Sequence, residues 1–308
     1  MPRENIHFRR NRPAHFNLGD FLCTPLHYFD FDVNEYQTQV FLRGKAHKTI
    51  LGGGAYNDLG VGQDVDFGQT VAWGLGSSQH GPDSLPTNAD DLPYLLYGVR
   101  DPDAVSEDGK ILPCVSCLHP LVMLPPGAAT NVFLNFDHGI TNMGQARQHS
   151  LFQGPSALGL YTNNLPELAF MKAFSESGRI ITNSFHVAYW SLLSGRRVSI
   201  IGYSSKFRSL LKLVGLSPAL QSYYSVSDQA ALIDSIGKIV GADEFYSLPK
   251  HGSLRDDCIQ RNLRFAQRCV DIGFVRTFAL KTHARRDMVL RLARYQPIQW
   301  VQRLSRDR

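Results

Sequence analysis

The chain has 308 residues, 43% hydrophobic and 19% charged, with a formal net charge of +5. That composition belongs to a globular protein able to build its cores without disulfides or metals, and it excludes disordered and collagen-like chains. No run approaches about 18 consecutive apolar residues, the basic N-terminus has no apolar stretch of a secretory signal, and five cysteines are an odd count that suits a reducing compartment, so the expected location is cytoplasmic.

Along the chain, Asn17-Leu18-Gly19-Asp20 is a short polar turn ahead of the apolar Phe21-Leu22. Asp20 there is either a helix cap or a carboxylate facing a ligand. Three short apolar segments follow, Lys48–Leu51, Gln69–Trp73 and Tyr97–Val99. They run into Gly52-Gly53-Gly54, Gly74-Leu75-Gly76 and Arg100-Asp101-Pro102. Each is predicted to be a buried strand that ends in a loop. Residues 79–94, rich in Pro, Asp, Ser and Asn, are predicted to be loop, and Leu124-Pro125-Pro126-Gly127-Ala128-Ala129-Thr130 is the best linker.

Beyond the linker the pattern predicts a strand over 131–136, a helix over 165–177 stopped by Gly178, and a strand over 179–182. A helix over 185–194 closed by Gly195 and a strand over 197–202 complete the series. This alternation is the parallel α/β pattern. The expected fold is α/β: two Rossmann-like domains facing a cleft, residues 1–127 and 128–250, followed by a basic helical segment over 251–308. That last segment holds 13 Lys and Arg against 5 Asp, a local net of +8, while the rest of the chain stands at −3. Within 284–308, Pro297 is expected to separate two helices whose apolar face can pack back on the first half or lie on an anionic membrane.

In parallel sheets ligands bind beyond the carboxyl ends of the strands. Arg100 stands at one such end, where a guanidinium can clamp a carboxylate or phosphate, or pair structurally with Asp101. Asn183 or Ser184 can cap the helix that follows, and His186 on its first turn would share the anion-attracting end of that helix. The other reading of His186 is a core histidine. Lys206, after the strand at 197–202, is a second cation at the same edge or a surface lysine. Gly53, Gly54 and Gly76 would let backbone approach a ligand closely. Neither glycine run fits the dinucleotide or P-loop fingerprints, which disfavours NAD and ATP. Cys114, Cys117 and His119 have the look of zinc ligands but lack a second ligand pair, so a buried thiol pair and no metal are expected.

Taken together, Asn17-Leu18-Gly19-Asp20, Gly52-Gly53-Gly54, Trp73-Gly74-Leu75-Gly76, Val99-Arg100-Asp101, Ser184-Phe185-His186 and Lys206 resemble, in order and spacing, the polysaccharide pyruvyl transferases. The resemblance spans about residues 16–210. Two positions depart from that family's pattern. A G-D-P motif is replaced by Leu112–Cys117, and the arginine usual before the S-x-H histidine is absent, so Lys206 or a tail arginine would have to supply that charge. The resemblance implies a fold similar to GT-B glycosyltransferases, phosphoenolpyruvate as donor substrate, no other cofactor, and a ketal formed on a sugar of a bacterial surface glycan.

In that scheme His186 acts as general acid and Asp20 as the base for a sugar hydroxyl. Arg100, Lys206, Ser184, Asn183, Asn17, Gly53, Gly54 and Gly76 bind substrate. The acceptor is expected to be lipid-linked, which would bring the enzyme to the inner membrane through its basic tail. A sugar-nucleotide glycosyltransferase or a non-catalytic polysaccharide-assembly protein is the alternative. Nucleic-acid binding is disfavoured, because no aromatic-interleaved basic surface exists outside the tail.

Overall fold

The computed structural model describes residues 4–10, 16–37, 48–52, 54–56, 58–62, 65–81, 83–136, 143–220, 222–224 and 228–281. Gly53 and residues 284–308 therefore lie outside the described residues. In chain order the first half contains β1 (Asn5–Arg10), α1 (Leu18–Leu22), β2 (Phe29–Asp30), β3 (Asn34–Gln37), β4 (Lys48–Gly52), β5 (Thr70–Leu75) and β6 (Leu96–Val99). The second contains β7 (Ala129–Leu134), α2 (Met143–Arg147), β8 (Gly159–Thr162), α3 (Glu167–Glu176), β9 (Ser177–Thr182), α4 (Phe185–Leu193), β10 (Arg197–Gly202), α5 (Ser205–Leu213), β11 (Ser222–Tyr223) and α6 (Gln229–Ala242). Then α7 (His251–Asp271) and β12 (Ala279–Leu280) close the described chain.

Two five-stranded parallel sheets result, ordered β3-β1-β4-β5-β6 and β11-β10-β9-β7-β8. Counted along the chain within each sheet, both have the same doubly wound order, 2-1-3-4-5. Parallel strands covered on both faces need apolar residues on both. Ile50, Val71 and Trp73 face one core with Ile6 and Phe8, while Leu51, Ala72 and Leu75 face another with Tyr56 and Tyr94. In the second sheet Phe133, Ile180 and Ile200 point one way, and Val132, Ile181 and Ile201 point the other way, onto α6.

Helix α4, sequence FHVAYWSLL, is buried at all nine positions. A helix apolar all round belongs inside a structure. It lies between the two halves, packed in one core with Leu18, Phe21 and Leu22 of α1, Cys114, Leu121 and the strands of the second sheet. Helix α7 then returns the chain to the first sheet. Cys258 joins the α4 core, and about two turns later Phe265 meets Trp73 at 4.7 Å between ring centroids. At the crossing, buried Asn262 accepts the Trp73 indole N–H at 2.8 Å and donates to the Cys258 carbonyl at 2.9 Å. Strand β12 pairs antiparallel with β2, which ties residue 279 to residue 30. Among the described residues no helix is long and apolar enough to cross a membrane.

The strands predicted at 48–51, 69–73, 97–99 and 197–202 appear within one or two residues of those bounds. Strand β7 starts two residues before the predicted 131, inside the expected linker, and stops two residues before the predicted 136, where the Asn135 and Phe136 N–H groups turn away to side-chain amide oxygens. Helix α3 ends at Glu176, one residue short of the predicted 177, as Ser177 is extended and opens β9 directly. Gly195 closes α4 in the left-handed region at φ 75°, as a helix C-terminus favours.

Candidate functional site

The loops leaving the carboxyl ends of the two sheets meet. Ser205 N–H donates to the Gln79 carbonyl at 2.8 Å, the Gln79 N–H to Ser205 Oγ at 3.0 Å, and the Gly81 N–H to the Tyr203 carbonyl at 3.2 Å. On the other side Leu18 N–H donates to the Asn163 carbonyl at 2.8 Å. These contacts join the loop after β5 to that after β10, and the start of α1 to the loop after β8.

Arg100 leaves β6 directly. Its N–H donates to the Leu75 carbonyl at 2.8 Å, and its side chain is only 2% exposed. The guanidinium lies flat against two surfaces. Its Cζ is 3.9 Å from the centroid of the Phe185 ring, and a β-carbon built on Gly76 would collide with its Nε. Gly76 is thus required by the arginine it carries. Among the described residues neither Nε nor Nη1 has a hydrogen-bond partner. The neighbouring Asp101 does not supply one: it accepts the Ser77 N–H at 2.5 Å, and burial pushes its carboxyl above the ordinary range despite the Arg100 charge. An unpaired buried cation is costly, by several kcal/mol in general, and therefore points to an anion as the missing partner.

Lys206 is the second residue of α5 and 9% exposed. It donates to the Tyr203 hydroxyl at 2.6 Å and has no carboxylate partner among the described residues. Burial, and then the Arg100 charge, push it down to about 7, while Asp20 acts the other way. Arg100, Lys206 and Asp20 therefore share one electrostatic neighbourhood. Asp20 also faces His186, Oδ1 to Nδ1 at 3.9 Å. Helices α4 and α5 both start without a side-chain capping bond from Ser184 or Ser204; at α5 the Ser205 N–H goes to the Gln79 carbonyl and the Phe207 N–H to the Ser204 carbonyl, which leaves the Lys206 N–H of its first turn.

His186 is held on both sides. Its Nε2 is 2.9 Å from Cys23 Sγ, and its Nδ1 lies so close over Gly19 that a β-carbon there would collide with it. Cys23 is one turn along from Asp20 and donates to the Gly19 carbonyl at 3.0 Å. Its sulfur is 3.2 Å from Cys114 Sγ, which in turn is 3.1 Å from Ser116 Oγ. Burial opposes ionisation of both thiols. Hydrogen bonds from Cys23, His186 and Ser116 nonetheless hold Cys114 well below its ordinary value, and Cys23 beside it is raised.

The other residues singled out from the sequence have different work. Asn17 caps α1: its Oδ1 accepts the N–H of Gly19 at 2.9 Å and of Asp20 at 3.4 Å. Asn183 is fully buried and ties the second sheet where its winding reverses, accepting the Asn135 N–H at 2.7 Å and donating to the Tyr224 hydroxyl at 2.6 Å. Both amides are thus engaged in holding backbone and side chain. Ser184 occupies the N-cap position of α4, yet neither it nor Asn183 caps that helix; its own N–H donates to Thr182 Oγ1 at 3.0 Å. Gly54, at φ 97°, makes the turn out of β4.

The zinc-like trio separates in space. Cys117 turns to Asn262, Sγ to Nδ2 3.6 Å, and buried His119 to Glu167, Nε2 to Oε1 3.3 Å. Only Cys114 reaches the site, and it does so beside Cys23, which lies 91 residues away and was not singled out. Chemically, the site offers two cations without ion-pair partners among the described residues, two helix starts, and a row Asp20–His186–Cys23 that can pass or accept a proton. Comparisons with protein-family models, with curated proteins and with solved structures return no match to this chain.

Proposed function

We propose that this chain is a pyruvyl transferase that takes phosphoenolpyruvate as donor and forms a ketal on a sugar of a surface glycan. The observation that carries this reading is Arg100, buried, with Nε and Nη1 unpartnered among the described residues, in the electrostatic neighbourhood of Lys206, which forms no ion pair among them. Phosphoenolpyruvate brings a phosphate and a carboxylate, which together match two cations and two helix starts. The ordered motifs and the shared 2-1-3-4-5 order of both sheets support a two-domain arrangement like that of GT-B enzymes.

In this reading Arg100 grips the donor's anionic end. The methylene carbon of the enol takes a proton, a sugar hydroxyl oxygen bonds to the adjacent carbon, phosphate leaves with the C–O electron pair, and a second hydroxyl closes the ketal. Lys206, set to about 7, is the better proton donor to the methylene, since His186 has Nε2 against Cys23. Asp20, with His186 behind it, accepts the proton of the attacking hydroxyl. The acceptor is a lipid-linked glycan reached from the cytoplasmic side, and the basic tail holds the enzyme on the anionic inner membrane.

The deciding experiment gives purified protein phosphoenolpyruvate and a lipid-linked glycan extract and follows phosphate release. Release that needs both substrates is expected. Protection against unfolding by a sugar nucleotide, with none by phosphoenolpyruvate, would replace this reading with a glycosyltransferase. Binding of neither would leave an assembly protein.

A further inference from the structure

We propose that Cys23, Cys114 and His186 form a binding site for a thiophilic divalent ion of the zinc class, with a fourth position open to a non-protein ligand. The three ligand atoms, two Sγ and Nε2, lie within 4.8 Å of one another, and all three side chains are buried. The sequence expectation of a metal-free chain rested on Cys114, Cys117 and His119, only one of which belongs to this cluster. Two thiolates and an imidazole are the donor set of zinc sites that keep a vacant position.

The surroundings fit the ligands as well as the ligands fit the ion. A metal-bound histidine generally gives its other ring N–H to a carboxylate. Here Nε2 faces the sulfurs, and Nδ1 faces Asp20 Oδ1 at 3.9 Å. Ser116 Oγ accepts the Trp190 indole N–H at 2.9 Å, which frees its own O–H to point at Cys114 Sγ, 3.1 Å away, as a thiolate requires. Tetrahedral bonds of about 2.3 Å to sulfur and about 2.0 Å to nitrogen set ligand atoms about 3.5–3.8 Å apart. The spacings here, 3.2 Å for the sulfurs and 2.9 Å from Cys23 to His186, open by roughly half an ångström on binding. The balance is simple: the ion enters, the Cys23 and Cys114 thiol protons leave to solvent, and neutral His186 donates its Nε2 lone pair.

This site does not rest on pyruvyl transfer, and its test reads no activity. Full-length protein is reduced, stripped with a chelator and titrated with cobalt(II), then with zinc. We expect one equivalent of cobalt, the intense sulfur-to-cobalt charge-transfer band with tetrahedral visible bands, and displacement by zinc. Cys23→Ser and Cys114→Ser should each weaken binding by about 100-fold or more, and Asp20→Asn by about 10-fold, the usual range for ligand-orienting partners. Cys117→Ser should bind as the parent does. Cys23→Ala and circular dichroism of every variant separate lost ligation from lost fold. A reduced, folded parent protein without the thiolate band overturns the site, as does a band that survives in Cys23→Ser or Cys114→Ser or disappears in folded Cys117→Ser.

Discussion

Among the described residues, Arg100 and Arg196 are the two arginines buried to 2% exposure or less, and each lies on an aromatic face, Arg100 3.9 Å from Phe185 and Arg196 4.0 Å from Phe174. They differ in what their N–H groups meet. Arg196, one residue before β10, gives Nε to the Phe174 and Ser177 carbonyls, at 3.2 and 3.0 Å. It gives Nη1 to Leu124 and Nη2 to Pro125, at 2.9 and 2.8 Å. It therefore clamps the Pro-Pro-Gly crossing to the amino ends of the second sheet. Arg100, at the carboxyl end of the first sheet, has two nitrogens without partners among the described residues. The same side chain at the same depth is a fastener at one end of a sheet and an incomplete site at the other. That division follows the general placement of ligands beyond strand carboxyl ends.

The sharpest way to break this comparison is to remove each guanidinium while keeping its volume. Arg100→Met should lower turnover with phosphoenolpyruvate on the order of 10³-fold, as expected when a buried charge partner of a ligand is lost. Its stability in urea should match or exceed the parent's, since an unpaired buried charge is gone. Arg196→Met should do the reverse. It leaves four carbonyls without their donor, and unfolding in urea should show a loss of about 3 kcal/mol, with the donor affinity of the folded protein unchanged. Equal destabilisation by the two substitutions would erase the distinction.

His186→Ala comes next, with turnover down by about 10²-fold. Because the ring packs between Gly19 and Trp190, at 5.8 Å between the His186 and Trp190 centroids, the variant should also lose on the order of 1–2 kcal/mol of stability through the cavity it leaves. Normal turnover in a folded variant would remove His186 from the chemistry and leave it a packing residue.

What was legible in the sequence follows the same division. Strand β10 was readable because Val198, Ile200 and Ile201 crowd three β-branched apolar residues into four positions, with Gly195 before them and Gly202 at the end. Strand β1 was not, because His7, Arg9 and Arg10 hide the alternation of buried Ile6 and Phe8. Strand β3, sequence NEYQ, is a polar edge with no periodicity to find. Arg100, His186 and Lys206 were legible as a set, since each follows a strand end and strand ends converge in a parallel sheet. The engagement of Asn17 as a cap and Asn183 as a tie was open, because an amide near a helix start can bond backbone or ligand equally well. The approach of Cys23 to Cys114 and His186 was closed to sequence reading. It depends on α1 and the segment around 114 packing against each other and against the start of α4, a tertiary fact with no local signature.

The smallest effect sharpens the comparison through pH. Lys206 sits at about 7 when folded against an ordinary 10.5, by burial and the Arg100 charge. Between those values the unfolded chain holds a proton that the folded protein lacks, so this residue makes stability rise with pH across that window. At pH 7 and below the folded protein bears the full burden of a second buried cation. Lys206→Met should therefore raise the melting midpoint by a few degrees at pH 6, at about 2–4 °C per kcal/mol for a protein of this size. The gain should shrink steadily toward pH 10. Phosphoenolpyruvate should reverse the sign, because an anion beside Lys206 favours its charged form. At pH 8 donor binding to the parent protein should take up a proton, measured as a dependence of the binding enthalpy on the buffer's ionisation enthalpy, and Lys206→Met should lose that uptake together with affinity. A stability difference that stays constant from pH 6 to pH 10 would mean that Lys206 finds an anionic partner in the resting protein, and Arg100 would then stand alone as the incomplete cation.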